Sequence, residues 1–172
     1  MGSVYVSGHD QPLESYVGSF VANLPEMLGA MAADPRCLVS IIEFADFRYV
    51  QFWVEPDGLI IAEVVSNLNI GDAVALSTED EASLRRAGWS EPSPGPTPNW
   101  RYEASGIAGL GKIAALTRDV VYHVLRETDT NPVSVRTWEM PRRERSSDEL
   151  RERARVHYQA TLRDIERRLD ED

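Results

Sequence analysis

The chain has 172 residues, 42% of them hydrophobic and 27% charged, with a formal charge of −10 at pH 7. That composition belongs to one folded domain and excludes wholesale disorder, while the acidic balance weighs against nucleic acid and anionic membranes as partners. No apolar run is long enough to span a membrane, and Met1 to Asp10 lack the basic start and apolar core of a signal peptide, so a cytoplasmic location is expected. Cys37 is the only cysteine, which rules out an intrachain disulfide and reads as a small buried hydrophobe in a reducing compartment.

Along the chain, Leu13, Tyr16, Val17, Phe20, Val21, Leu24, Leu28 and Met31 recur at spacings of three and four, which predicts an amphipathic helix from about Leu13 to Met31. Pro25 predicts a kink or break within it, with Asn23 as a second cap, and Asp34-Pro35 ends it. Residues 37–66 then hold three short runs rich in Val, Ile, Phe and Trp, separated by Ala45-Asp46-Phe47 and by Glu55-Pro56-Asp57-Gly58. Pro-Asp-Gly suits a three-residue hairpin loop with glycine at the left-handed position, which pairs Glu55 with Leu59. That register puts Val50, Phe52 and Val54 on one face with Ile60, Ala62 and Val64. Tyr49, Gln51 and Trp53 share the other with Ile61, Glu63 and Val65.

Ser77-Thr78-Glu79-Asp80 reads as a capped start for a short helix that ends at Gly88. Pro92, Pro94, Pro96 and Pro98 mark an extended loop or linker. A second long helix is predicted over roughly Ile107 to Arg126, and a further strand over Val133 to Met140. Beyond Pro141, Ser146-Ser147-Asp148-Glu149 opens a last helix whose narrow apolar stripe includes Leu150, Ala154, Tyr158, Leu162, Ile165 and Leu169. This helix can cover the sheet of its own domain or pair with a second copy; the stripe alone fits both.

The catalytic inventory is thin. His9, His123 and His157 lie in three different segments, with no second histidine or cysteine at metal-ligand spacing, so no metal site is expected. Gly106-Ile107-Ala108-Gly109-Leu110-Gly111-Lys112 has the glycine spacing of a phosphate loop, but Ile113 stands where a Ser or Thr would hold magnesium. No nucleophile elbow or zinc-protease motif is present, and no cofactor is expected. Glu43 and Glu63, both on the outer strand face, form the one carboxylate pair open to an acid/base reading; a solvated or partner-facing strand explains them more cheaply. That face, with Val39, Ile41, Glu43, Tyr49, Gln51, Trp53, Ile61, Glu63 and Val65, mixes large apolar and polar groups where an ordinary solvent face would be uniformly polar. Either a helix covers it, or it receives a partner segment with aromatics as anchors and Gln51 and Glu63 for orientation.

Arg48-Tyr49-Val50-Gln51-Phe52, Ala62-Glu63-Val64-Val65-Ser66-Asn67, Leu76-Ser77, Leu84, Gly88-Trp89, the proline-bearing loop and Asn99-Trp100 together resemble the TY-Chap domain. This is a group of actinobacterial domains similar to YbjN proteins and type III secretion chaperones, and the resemblance covers about residues 15–140. It carries over Tyr49, Gln51, Trp53, Glu63, Asn67, Trp89 and Trp100 as motif positions, and no catalytic residue. The fold then expected is α+β. An antiparallel β-meander packs against helices in the order α-β-β-β-α-β-α, over a domain of residues 10–140, with an extra amphipathic helix at 146–170. The resemblance implies a non-catalytic peptide- or protein-binding chaperone or adaptor, often a homodimer, that holds a client segment against its sheet. Tyr49, Gln51, Trp53, Ile61, Glu63 and Asn67 are the peptide-binding candidates. The alternatives are a small-molecule-binding or enzymatic domain using Glu43 and Glu63, and a purely structural homodimer seamed by the last helix.

Overall fold

Pro56-Asp57-Gly58 makes the hairpin its chemistry predicts. Gly58 takes φ 81°, its N–H donates to the Glu55 carbonyl at 2.9 Å, and the Glu55 N–H donates to the Leu59 carbonyl at 2.9 Å. The predicted register follows, with Val50 opposite Val64, Phe52 opposite Ala62 and Val54 opposite Ile60. The computed structural model describes residues 13–70, 74–93 and 98–140. The C-terminal helix expected at 146–170 lies outside the described residues.

The elements, in chain order, are β1 (Leu13–Tyr16), α1 (Val17–Ala33), β2 (Cys37–Phe44), β3 (Tyr49–Val54), β4 (Leu59–Val64), α2 (Thr78–Arg86), β5 (Trp100–Ser105), α3 (Gly106–Asp119), a π-helical turn (Val120–Val124) and β6 (Pro132–Met140). All strand pairs are antiparallel, in the order β1-β6-β2-β3-β4-β5. The fold is α+β with the predicted meander inside it, and two strands extend the expected order.

One of these is β1, cut from the start of the predicted first helix. Leu13 pairs with Val135 and Tyr16 with Pro132, and the helix begins at Val17. No side chain caps it; the loop before β6 does so instead, accepting the Val17 N–H at the Asn131 carbonyl (2.9 Å) and the Gly18 N–H at the Asp129 carbonyl (3.1 Å). The other is β5, which borders β4 and ends where α3 starts. Pro25 does not break α1, which runs on to Ala33. The proline is exposed and removes one hydrogen-bond donor, while Leu24, Met27 and Leu28 around it stay buried. Each such buried side chain contributes about 1.5–3 kcal/mol, enough to hold the helix through the defect. Asn23 is no cap: its amide donates to the Ser19 carbonyl four residues back, at 2.8 Å.

The apolar stripes of α1 and α3 and the π-helical turn pack on one sheet face, against Leu38, Ile42, Phe44, Val50, Phe52, Val54, Ile60, Val64, Val133 and Val135. α2 opens on a capping box: the Asp80 N–H donates to the Ser77 hydroxyl and the Ser77 N–H to the Asp80 carboxylate. Its Leu84 enters the same core together with Trp89 and Trp100. The π-helical turn ends with Arg126 in the left-handed region, φ 55°, as the Glu127 N–H reaches back to the Val121 carbonyl at 3.0 Å.

The β2–β3 turn is held by ion pairs. Arg48 binds Asp46 at 2.6 Å and the buried Glu127 at 3.2 Å, and Glu127 also accepts from Asn131 at 2.7 Å. At its tip Phe47 adopts φ 68° and is 87% exposed. A bulky side chain in that region costs about 1 kcal/mol with no burial to offset it. Phe47→Gly is therefore expected to raise stability by about 0.5–1 kcal/mol, read as a higher urea midpoint at unchanged slope. A lower midpoint would mean that the phenyl ring packs in solution.

Candidate functional site

The second sheet face takes every other residue of the same strands, and none of the described helices contributes to it. Two rows cross it at right angles to the strands. In the first, Trp138 of β6 stands opposite Val39 of β2, Val39 opposite Trp53, Trp53 opposite Ile61, and Ile61 opposite Glu103. In the second, one pair further along, the order is Arg136, Ile41, Gln51, Glu63 and Arg101. Val39 and Ile61 are buried, Trp53 is half-buried, and Trp138 is 38% exposed. The Trp53 indole N–H donates to the Cys37 sulfur, which fixes the ring plane across the strand.

The polar groups beside this apolar row are ordered. Glu63 is only 8% exposed, and its Oε2 accepts from Asn99 Nδ2 at 3.1 Å. Asn99, itself buried, accepts at Oδ1 from the Tyr49 hydroxyl (3.1 Å) and from Asn69 Nδ2 (2.7 Å). Arg101 approaches the other Glu63 oxygen at 4.0 Å but binds Glu103 at 2.7 Å. Glu43 is paired with Arg136 at 2.6 Å.

Of the predicted site residues, Tyr49, Gln51, Trp53, Ile61 and Glu63 share this face. Asn67 lies past the end of β4, where its side chain closes a loop by bonding both the N–H and the carbonyl of Leu76, at 2.6 and 2.8 Å, and Glu81 at 3.2 Å. Trp89 and Trp100 are core residues, 3% and 1% exposed. Asn99, Asn69, Arg101, Arg136 and Trp138 join the face without having been predicted. Their signal was slight: Arg101 and Glu103 alternate with apolar residues in β5, whereas in β6 Arg136 and Trp138 flank Thr137 and show no such pattern.

Glu43 and Glu63 are engaged by different partners, Arg136 and Asn99. A shallow depression of about 750 Å³ lies elsewhere, between α1 and α3, bordered by Tyr16, Ser19, Arg118, Tyr122 and Asp129. There the Tyr122 hydroxyl donates to Asp129 at 2.7 Å; that bond, then burial, holds the phenol above its ordinary range, so it remains protonated at neutral pH. The glycine-rich start of α3 serves packing: a Cβ on Gly109 would stand 2.8 Å from that of Ala104, and the Lys112 ammonium sits over the Tyr102 ring at 5.4 Å. Among the described residues, no cluster of His, Cys, Asp and Glu could hold a metal ion, and no helix is long and apolar enough to cross a membrane.

No curated protein and no solved structure matches the chain. The sequence profile of one family, TY-Chap3, described as T3SS (YopN, CesT) and YbjN peptide-binding chaperone 3, matches residues 18–139, a span that runs from the start of α1 to the end of β6. The chain therefore belongs to the TY-Chap3 family of peptide-binding chaperones.

Proposed function

We propose that this protein is a non-catalytic chaperone or adaptor that holds a client peptide against the outer face of its sheet. The observation that carries the reading is the apolar row Trp138–Val39–Trp53–Ile61 on the side of the sheet that the described helices leave alone. Aromatic anchors beside ordered polar groups are the usual anatomy of a peptide-recognition surface. Trp53 stands at its centre, fixed by Cys37 and flanked by Val39 and Ile61, so a client side chain meets a preorganised ring.

A peptide array probed with the full chain tests this. Trp53→Ala is expected to weaken captured peptides about tenfold or more, in line with truncation of a central aromatic anchor. Far-ultraviolet circular dichroism should remain that of the parent. Binding indifferent to the substitution would remove the face from the reading.

A further inference from the structure

Resting on the reading of the outer face as the peptide site, we infer that the client presents a basic side chain, arginine above all, next to its apolar anchor, and that Glu63 and Gln51 receive it. Glu63 is a nearly buried carboxylate with only half of its capacity engaged. Its Oε2 accepts from Asn99 at 3.1 Å, whereas its Oε1 has no hydrogen-bond donor among the described residues. The nearest cation, Arg101, stands 4.0 Å away with its guanidinium turned to Glu103, which it binds through both Nε and Nη2 at 2.7 Å. Gln51, directly opposite Glu63 on β3, is half-buried, and its amide makes no side-chain hydrogen bond to any described residue. These cross-strand neighbours thus leave one carboxylate oxygen and one amide with no hydrogen-bond partner among the described residues, on a face where a ligand can meet both.

The chemistry that satisfies both is a forked donor bearing positive charge. An arginine guanidinium can bridge two oxygens in one plane with charge-assisted bonds, which a lysine ammonium does less well; a neutral amide donates without the charge, and a carboxylate cannot donate at all. The face's own cations are committed, Arg136 to Glu43 and Arg101 to Glu103, and the whole chain carries −10, so approach of a basic segment is favoured at long range. Spacing follows from the sheet. The Gln51–Glu63 pair lies two residues along the strands from the Trp53–Ile61 pair, about 7 Å. An extended client spans that distance between positions i and i+2, and a helical one, at about 6 Å, between i and i+4.

The test uses synthetic 12-residue peptides with a single Leu, Phe or Trp anchor in a Ser/Ala background. Each carries Arg, Gln or Glu at the second or fourth position after the anchor, and binding to the full chain is followed by fluorescence anisotropy. Arginine peptides of one of the two spacings are expected to bind about tenfold more tightly than their glutamine counterparts, and the advantage should shrink with added salt. Glu63→Gln should erase that advantage, so that arginine and glutamine peptides bind the variant alike. Gln51→Met should reduce it and provides the same readout if Glu63→Gln fails to fold. Trp53→Ala should weaken all peptides alike. Equal binding of the Arg, Gln and Glu peptides, or an arginine preference that survives Glu63→Gln, overturns the inference and leaves the peptide site standing. Binding by none of them overturns both.

Discussion

Trp100→Ala is expected to lower stability by about 4 kcal/mol, the range for truncating a large buried aromatic ring. Trp100 is 1% exposed at the first position of β5, opposite Val64, with the Arg85 guanidinium 5.7 Å from its ring. Its indole N–H finds no acceptor among the described residues, so Trp100→Phe gives up ring area and no hydrogen bond, and should cost about 1–2 kcal/mol. Urea unfolding of the two variants checks the contrast. The larger change should also reach the outer face, since Asn99 is the preceding residue and links Tyr49, Asn69 and Glu63. A Trp100→Ala protein that unfolds with the midpoint of the Phe variant would show that β5 is held by its strand pairing alone.

Asp80→Ala should be the next most damaging change described, at about 2–3 kcal/mol. It removes a capping box, worth about 1 kcal/mol, and two hydrogen bonds to a guanidinium, at 3.0 and 3.1 Å from Arg126. The loss stays below that of a fully buried ion pair because the Arg126 side chain, 63% exposed, can return to water. Arg126 sits at φ 55°, so Arg126→Ala keeps the backbone strain and Arg126→Gly relieves it; the glycine variant should be more stable by about 0.5–1 kcal/mol.

Acid distinguishes the parts. Burial, the largest single influence on the Asp80 carboxyl, pushes its pKa up, but hydrogen bonds from Arg126 and Ser77 together outweigh it and hold the group below its ordinary 3.8. The stability this confers is therefore complete above pH 3.8 and is lost as pH falls through the lowered folded value. Asp34, drawn down to about 2 chiefly by its side-chain hydrogen bond from Arg36, loses its contribution over the same acidic interval. Asp80→Asn should flatten the decline in stability below pH 4, measured as the urea midpoint against pH; an unaltered slope would assign that decline to other carboxylates.

The meander was legible because its information is local. Pro56-Asp57-Gly58 sets the hairpin and its register, and Gln51 and Glu63, the polar residues of the two strands, then fall opposite one another on one face. β1 was hidden because Tyr16, Val17 and Phe20 continue a helical spacing without a break, and the strand exists through pairing with β6, more than a hundred positions away. Periodicity holds no record of such a partner. The helix through Pro25 shows tertiary packing prevailing over a local breaker. Five of six predicted site residues could be placed on one face by parity alone. The group that orders them could not, since Asn99 belongs to neither strand and meets Glu63 only because β5 docks beside β4. Asn67, carried over from the family resemblance, lies past the end of β4 at Val64, and its side chain bonds Leu76 and Glu81.

The strand order β1-β6-β2-β3-β4-β5 has a consequence for synthesis. On a ribosome, β2 emerges early, yet its second neighbour is β6; Glu43 waits for Arg136, 93 positions later, before their ion pair can form. Until then the growing chain holds a meander with one ladder of β2 unfilled, an edge rich in Val and Ile that can template association with another nascent chain. Closing so large a loop is slow in entropic terms, and the reward arrives at once, because β6 pairs with both β1 and β2. A ribosome stalled short of residue 132 would therefore release the four strands β2-β3-β4-β5 with β2 as an open edge and β1 without its partner.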